Sequence, residues 1–291
     1  MAKSKAYKKQ ELGNSQLKMT WIKLRENKLA VASMFILLLV CLVAIFAPLI
    51  APYDYTAQNY DEMLMFPCLA HPFGTDQFGR DILSRIIWGS RYTLIIGFLT
   101  MVVSCIVGTA LGVFAAYYPK LDNPIMRFLD IFSSIPDMAL LMCLVIILGT
   151  SMTNMIIALG IYYVPGYARL ARAQVLTLRD EEYVEASRAL GASDARILLN
   201  HILPNAMAPI IVRFTMSTGG CILESASLSF IGLGIQPPEP EWGLMISQGK
   251  SFLSTNWYYS IIPGLCIVLV SYCLNYLGDG LRDALDPRLN Y

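Results

Sequence analysis

Few residues in this chain could do chemistry, and their spacing restricts what that chemistry could be. There are seven cysteines and two histidines. No C-x-x-C pair occurs, so neither a redox dithiol nor a structural zinc site is supported. Cys41, Cys105, Cys143, Cys221, Cys266 and Cys273 fall in apolar runs, where a thiol behaves as a small apolar side chain. Cys68 alone lies outside them, with no partner. The stretch Gly243 to Ser251, GLMISQGKS, approaches the phosphate-binding loop G-x-x-x-x-G-K-[ST]. It has five residues between its glycines, not four, and no strand pattern precedes it. Three ionisable residues, Asp137, Arg213 and Glu224, stand inside otherwise apolar segments, where such groups are functional candidates by default. The densest mixed charge cluster outside the N-terminus is the 179–196 stretch.

Composition says what must position these residues. Of 291 residues, 56% are hydrophobic and 15% are charged, against about 25% charged in a typical soluble domain. That excludes disorder, which needs low hydrophobicity and high charge. It also argues against an ordinary soluble domain, which needs more polar surface. The formal net charge of +1 gives no basic excess to attract nucleic acid. A polytopic membrane protein remains.

A bilayer core about 30 Å thick takes about 20 apolar residues as helix. Runs of this kind are 29–48 and 92–117, both uncharged. From Met138 to Ala168 there are 31 uncharged residues, too many for one helix and too few for two. The polar break GTSMTN at 149–154 divides them, so helix three is expected to start near Ile125 and helix four to end near Gln174. Helix five is expected from about Asn205 to Gly232, and helix six from Asn256 to Gly278. The expectation is an all-α polytopic membrane protein with six transmembrane helices. Residues 17–28 read as an interfacial helix, with Leu17, Trp21 and Leu24 on one face. The rival reading, a cleavable signal peptide, is disfavoured by a 20-residue apolar stretch followed by Pro48.

Orientation follows from Lys and Arg placement. The first 28 residues carry eight, and 169–201 carries five arginines, while 49–87 has two beside five acids. Alternate connections are rich, then poor, so both termini are expected inside. The GLMISQGKS stretch then lies outside, away from ATP, and His71 and His201 lie on opposite sides and cannot share a metal. No nucleophile, base and acid assemble on one side. Segments under about 40 residues rarely fold alone, so there is no room for a nucleotide-binding domain.

Within the 180–209 segment two short helices are expected. The first, about Glu181 to Leu190, has acids in its early turns, which suits the helix dipole. Gly191 supplies a stop that tolerates positive φ, and Ser193 is a plausible N-cap for a second helix that ends at Pro204. By pattern alone this is equally a solvated amphipathic linker or a docking element. For the intramembrane residues, Asp137 falls near mid-membrane in helix three, with Pro136 placed to kink that helix. Arg213 and Glu224 share a face but lie about 16 Å apart along the axis, too far to pair. Inter-helix struts, or for Arg213 a snorkelling side chain, are favoured here over a pathway role. Gly219-Gly220 and Gly108-x-x-x-Gly112 read as packing faces.

The spacing Glu185-Ala186-Ser187, three residues, Gly191, then Leu203-Pro204 resembles the "EAA" loop of ABC importer permeases. Ser187 stands for the usual second Ala, and His201 stands where an Ile is expected, with Ile202 one place later. Three further stretches, HPFGTDQFGRDILSR (71–85), LSFIGLGIQPPEPEWG (228–243) and GDGLRDALDPR (278–288), resemble the dipeptide/oligopeptide/nickel branch and its second, C-type permease subunit. The likeness runs from about Trp21 to Arg288. It implies the type I ABC importer permease fold in a bacterial or archaeal cytoplasmic membrane. The implied partners are a second permease chain, two cytoplasmic ATP-binding subunits that hold ATP and Mg, and an extracytoplasmic substrate-binding protein. Membrane lipid surrounds the assembly, and nucleic acid has no place in it. Neither cofactor, metal nor catalytic residue is implied for this chain. Glu185, Ala186, Ser187, Gly191, Leu203 and Pro204 fall on the implied coupling loop, at about 180–203. Three regions are expected: 1–88 with the interfacial helix, first span and outer loop; 89–280 with the five-helix transport domain; and 281–291 as a cytoplasmic tail. Peptides are the implied cargo, with glutathione, opines and nickel chelates open. A secondary transporter or channel without an ATPase is the reading from a different class.

Overall fold

The structure, a computed structural model, describes residues 16–285. Lys3 to Lys9, Arg288 and most of the expected tail lie outside the described residues. Every regular element described is helical. Helix α1 (Gln16–Glu26) leads through Asn27 into α2 (Lys28–Ile45). The Asn27 carboxamide oxygen accepts from the Leu29 and Ala30 N–H groups, both at 3.1 Å, as an N-cap does. A single turn, α3 (Ala47–Ile50), closes this run. Next come α4 (Ile82–Tyr117), α5 (Pro119–Ser133), α6 (Asp137–Leu148) and α7 (Met152–Arg179). The charged segment contributes α8 (Glu182–Ala189) and α9 (Asp194–Ile197). A π turn over Leu198–Ile202 runs on into α10 (Leu203–Phe230). Then follow α11 (Trp242–Gly249) and α12 (Tyr258–Leu285).

Four helical stretches are long and apolar enough to cross a membrane: Lys28–Ile45, Ile82–Tyr117, Asp194–Phe230 and Tyr258–Leu285. The pair α5 and α6 makes a fifth only if counted as one broken span, because the two meet at 92°. Helix α7 has the length, at 28 residues, but Asn154, Tyr162, Tyr163, Arg169 and Arg172 dilute its apolar character.

Three expectations are corrected. Helix three is not one kinked rod. Ser134 ends α5 and Pro136 starts α6, because the residue before a proline is pushed out of the helical region. Asp137 therefore sits in the first turn of α6 and is exposed, and counting along one axis from Ile125 does not locate it. Helix two begins at Ile82, ten residues before Tyr92, so α4 is about 54 Å long and its first turns extend beyond any bilayer core. The second loop helix is not separate, since α9 and the π turn continue into α10.

Those first turns of α4 are held by a buried polar cluster that hydropathy did not reveal. Asp81 caps α4, accepting from the Ser84 N–H and hydroxyl at 2.7 Å each. Its other oxygen lies 2.9 Å from His71 Nδ1. Arg80 Nε donates to Asp76 at 2.6 Å, and Arg85 Nε lies 3.6 Å from the same oxygen. All of these side chains belong to the 71–85 stretch singled out in the sequence, and all are buried. Gly79, at φ +70°, packs where a Cβ would collide with the Asn59 backbone carbonyl. The segment is roofed onto α12 by Asn256 and Tyr258, which donate to the Leu64 and Met65 carbonyls at 2.9 and 2.8 Å.

Candidate functional site: the coupling loop and an intramembrane polar cavity

Helix α8 is short, and Val184 is its one buried residue. That side chain joins Ala116 and Tyr117 of α4, Val175 of α7, and Ile197, Leu198 and Ile202 at the foot of α10. One anchor thus seats α8 on three of the long helices. The helix ends at Gly191, whose φ is +81°. The Ala192 N–H bonds the Ser187 carbonyl at 3.1 Å, and the Gly191 N–H bonds Arg188 at 3.0 Å. This is the Schellman pairing that a left-handed glycine permits. Tyr117 Oη donates to Asp194 at 2.6 Å, and Arg179 donates to the Ala116 carbonyl at 3.0 Å. The turn is thereby fixed to the end of α4 on both sides.

The outer face of the loop is open. Glu185, Ala186 and Gly191 are exposed, and Leu190 is 89% exposed. Ser187 is half-buried and donates to the Tyr183 carbonyl at 2.8 Å, which spends its hydroxyl within the helix. Leu203 and Pro204 open α10 just past the π turn. Proline has no N–H for the helix ladder, and such a bulge is one way a helix absorbs that loss.

A second cluster lies between α6, α7 and α10. The Tyr162 hydroxyl stands between Asp137 and Glu224, and the Tyr163 hydroxyl also faces Glu224. Arg213, on α10, meets α7 one helical turn further along. Its guanidinium is 5.5 Å from the Tyr167 ring centroid and packs on Gly166, where a Cβ would displace it. Asp137, Arg213 and Glu224 make no ion pair with one another or with other described residues. Arg213 Nε and Glu224 Oε2 are both buried without a hydrogen-bond partner. Asp137, Tyr162, Tyr163, Gly166, Arg169 and Arg213 line a cavity of about 300 Å³. Arg169 is engaged there by Asp130, at 3.1 Å. Sequence reading rightly kept Arg213 and Glu224 from pairing, but it missed Tyr162 and Tyr163. The signal available was their polarity within an otherwise apolar run.

The fold and these two sites define a multi-pass membrane subunit with an exposed, charged helix-turn between two long helices and a polar interior. Residues 108–291 match the family described as binding-protein-dependent transport system inner membrane component, and residues 15–72 match the N-terminal transmembrane domain of oligopeptide transport permease C. The chain belongs to this family of ABC importer permeases, as a C-type subunit of its dipeptide/oligopeptide branch. It is 45% identical over 267 residues to a dipeptide transport system permease of Alkalihalophilus pseudofirmus, covering 91% of this chain and 88% of that one. It is 43% identical to a di/tripeptide permease of Pseudomonas aeruginosa, covering 94% and 93%. A glutathione permease of Pectobacterium atrosepticum is 42% identical, covering 91% and 89%. Among solved structures, an inward-facing MetNI methionine ABC transporter matches with a TM-score of 0.58 at 22% identity, covering 69% of this chain and 96% of that one. An amino acid ABC transporter matches at 0.53 and 19%, covering 71% and 94%. These last two carry the type I importer fold. The protein is thus a permease subunit of an ABC importer in a cell membrane, in a family that works with permease partners, ATPase subunits and a binding protein.

Proposed function

We propose that this chain crosses a bacterial or archaeal cytoplasmic membrane six times, with both termini inside. It forms one half of a pathway for di- or oligopeptides with a second, homologous permease. The six crossings are α2, α4, the broken pair α5 and α6, α7, α10 and α12. An even number is supported by the meeting of the two ends of the described chain. Leu24 and Ala30 pack against Ala284, and Gly280 leaves room for Ala30. Residues 1–88 precede the transport domain of 89–280, and 281–291 form a tail. No reaction is assigned to this chain or cofactor to its residues; two partner subunits bind ATP and Mg and do the hydrolysis, and an external binding protein delivers the cargo. Identity to dipeptide and di/tripeptide permeases supports peptides, with glutathione second because of the 42% relative.

The observation that carries this reading is the seating of α8. A rigid exposed helix held by Val184 and stopped by Gly191 can take a push from an ATPase subunit. The push passes to α4, α7 and α10 together, through Glu185, Ala186, Ser187 and Gly191 on the surface and Leu203 and Pro204 at the foot of α10. A secondary transporter would have no use for such a contact. Gly191→Pro removes the N–H that bonds Arg188 and forbids positive φ, and Glu185→Arg reverses charge on the docking face. Both variants are expected to reach the membrane but to abolish ATP-dependent peptide uptake. Normal uptake in both would overturn the coupling assignment.

A further inference from the structure

Ionisable groups inside a membrane subunit are costly, and they persist where they pair or line a path. Asp137, Glu224 and Arg213 do not pair within the described chain. Asp137 and Arg213 both line one cavity and give it an acidic end and a basic end. At the acidic end Asp137 faces the Tyr162 hydroxyl, with Glu224 on the far side of that hydroxyl and outside the cavity lining. The basic end is Arg213, since Arg169 is already engaged by Asp130. Arg213 Nε is buried with no hydrogen-bond partner, a donor left unused at that end.

The spacing of the two ends identifies the ligand class. The acidic end is set by Tyr162 of α7, which faces Asp137, and the basic end by Gly166, on which the Arg213 guanidinium packs; all four residues line the cavity. Tyr162 and Gly166 are one turn apart, about 6 Å along the helix. An extended dipeptide spans about 7 Å, at roughly 3.5 Å per residue. A lone cation would need only the carboxylate, and a lone anion only the arginine. A small zwitterion with its charges about one helical turn apart uses both. The cavity of about 300 Å³ is at the small end of ligand pockets, which suits a short chain.

We propose that this cavity is a transient site for a zwitterionic short peptide. The α-ammonium lies at Asp137 beside the Tyr162 hydroxyl, and the α-carboxylate lies at Arg213. The direction of passage follows from α7, whose C-terminal end leads into the coupling loop. Gly166, against which Arg213 packs, is four residues closer to that loop than Tyr162 is, so the peptide travels carboxylate first. Arg213 also lines a second cavity, of about 650 Å³, that reaches Gln174, Asn205 and Arg282. It therefore stands where the first space gives way to one nearer the loop. Helix α7 opens this boundary locally, since Gly166 lets the guanidinium lie flush against the backbone.

This inference rests on the importer reading, and one set of measurements separates the two. The assembled importer, with its second permease and ATPase subunits, carries Ser133→Cys, an exposed position in the same cavity. Free dialanine is expected to slow thiol modification at that site several-fold. N-acetyl-dialanine amide, which lacks both charges, is expected not to. Asp137→Asn and Arg213→Gln are each expected to raise the dialanine concentration for half-protection about tenfold, the usual weight of one charge-assisted bond. Both should still co-purify with the second permease and the ATPase subunits. Absence of protection in the parent, equal protection by the capped peptide, or protection unchanged in both variants would overturn the zwitterion site. So would loss of the second permease from either variant, since the charged groups would then be struts between subunits. Binding-protein- and ATP-dependent uptake of labelled dialanine by the parent complex is measured separately. Its failure with protection intact would count against the importer reading and leave the site standing.

Discussion

Single residues set the local limits of this protein. Glu241 is buried and caps α11, its two oxygens accepting from Gly243 and Leu244 at 2.9 and 2.8 Å. Burial nevertheless pushes its carboxyl above the usual range. A folded-state value above the unfolded one means that the folded protein holds the proton more tightly. The stability contributed by this group is complete below the unfolded carboxylate value, about 4.3. It is lost as pH rises through the folded value. The stability of Glu241→Gln in detergent is therefore expected to fall less than that of the parent as pH is raised from about 4 towards neutral. Parallel curves for the two proteins would refute this. Asp76 is a second such point. It is the one carboxylate facing both Arg80 and Arg85, and it also accepts from the Phe78 N–H at 2.8 Å. Asp76→Asn leaves two buried guanidinium groups uncompensated and is expected to cost about 3 kcal/mol, read as a lowered Tm of the purified complex.

At the scale of elements, α8 is the piece whose attachment matters most. Its one buried side chain, Val184, sits in a cluster that joins α4, α7 and α10. Val184→Ala leaves the exposed face of α8 unaltered and loosens its seat, at a cost of about 1 to 2 kcal/mol for the lost methyl groups. Uptake per ATP hydrolysed should drop while the ATPase subunits still co-purify. Unchanged coupling would show that α8 transmits through some other contact. The α5 and α6 pair teaches a different lesson. Helix α6 is about 18 Å long and too short to cross alone, so the 92° turn at Ser134 to Pro136 decides where Asp137 enters the interior. Two arginines of α7 fix α5 in place. Arg172 grips Asp122 with two bonds of 2.6 Å, and Arg169 pairs with Asp130.

For the whole molecule, the proposed topology places the 51–81 segment outside and the loop at 180–203 inside. Cys68 is exposed and is expected to react with a membrane-impermeant maleimide in intact cells. Leu190→Cys, made with Cys68→Ala, is expected to react only after permeabilisation. Labelling of both from the same side would contradict the six-crossing arrangement. The molecule also has no soluble domain of its own among these elements. In the proposed assembly, work arrives through the loop and cargo is handed over at the opposite face.

Much of this could be read from the chain alone, because it depends on local terms. Apolar run length reports the cost of leaving lipid, and it located α2, α4, α10 and α12 to within a few residues except at the start of α4 and the end of α12, which runs seven residues past Gly278. Lys and Arg placement gives the inner side that the labelling experiment tests. The glycine at 191, with acids before it and Ser193 after it, specified a helix, a left-handed stop and a restart, and each depends only on near neighbours. The spacing around Glu185 and Gly191 carried the family. What the tertiary structure alone decided involves residues far apart in the chain. Run length placed a helix at α7 but did not say what its polar side chains meet: Tyr162 and Tyr163 meet Asp137 and Glu224, and Arg169 and Arg172 meet Asp130 and Asp122. The first turns of α4 are charged and buried at once, since Asp76, Arg80, Asp81 and Arg85 satisfy one another only after the outer segment folds back. Asp137 and Glu224 meet at Tyr162, and Arg213 comes to Tyr167, because the angle between α5 and α6 and the packing of α7 on α10 bring three helices to one cavity. Those angles are set by how side chains interlock across helices, and no periodicity along a single helix encodes them.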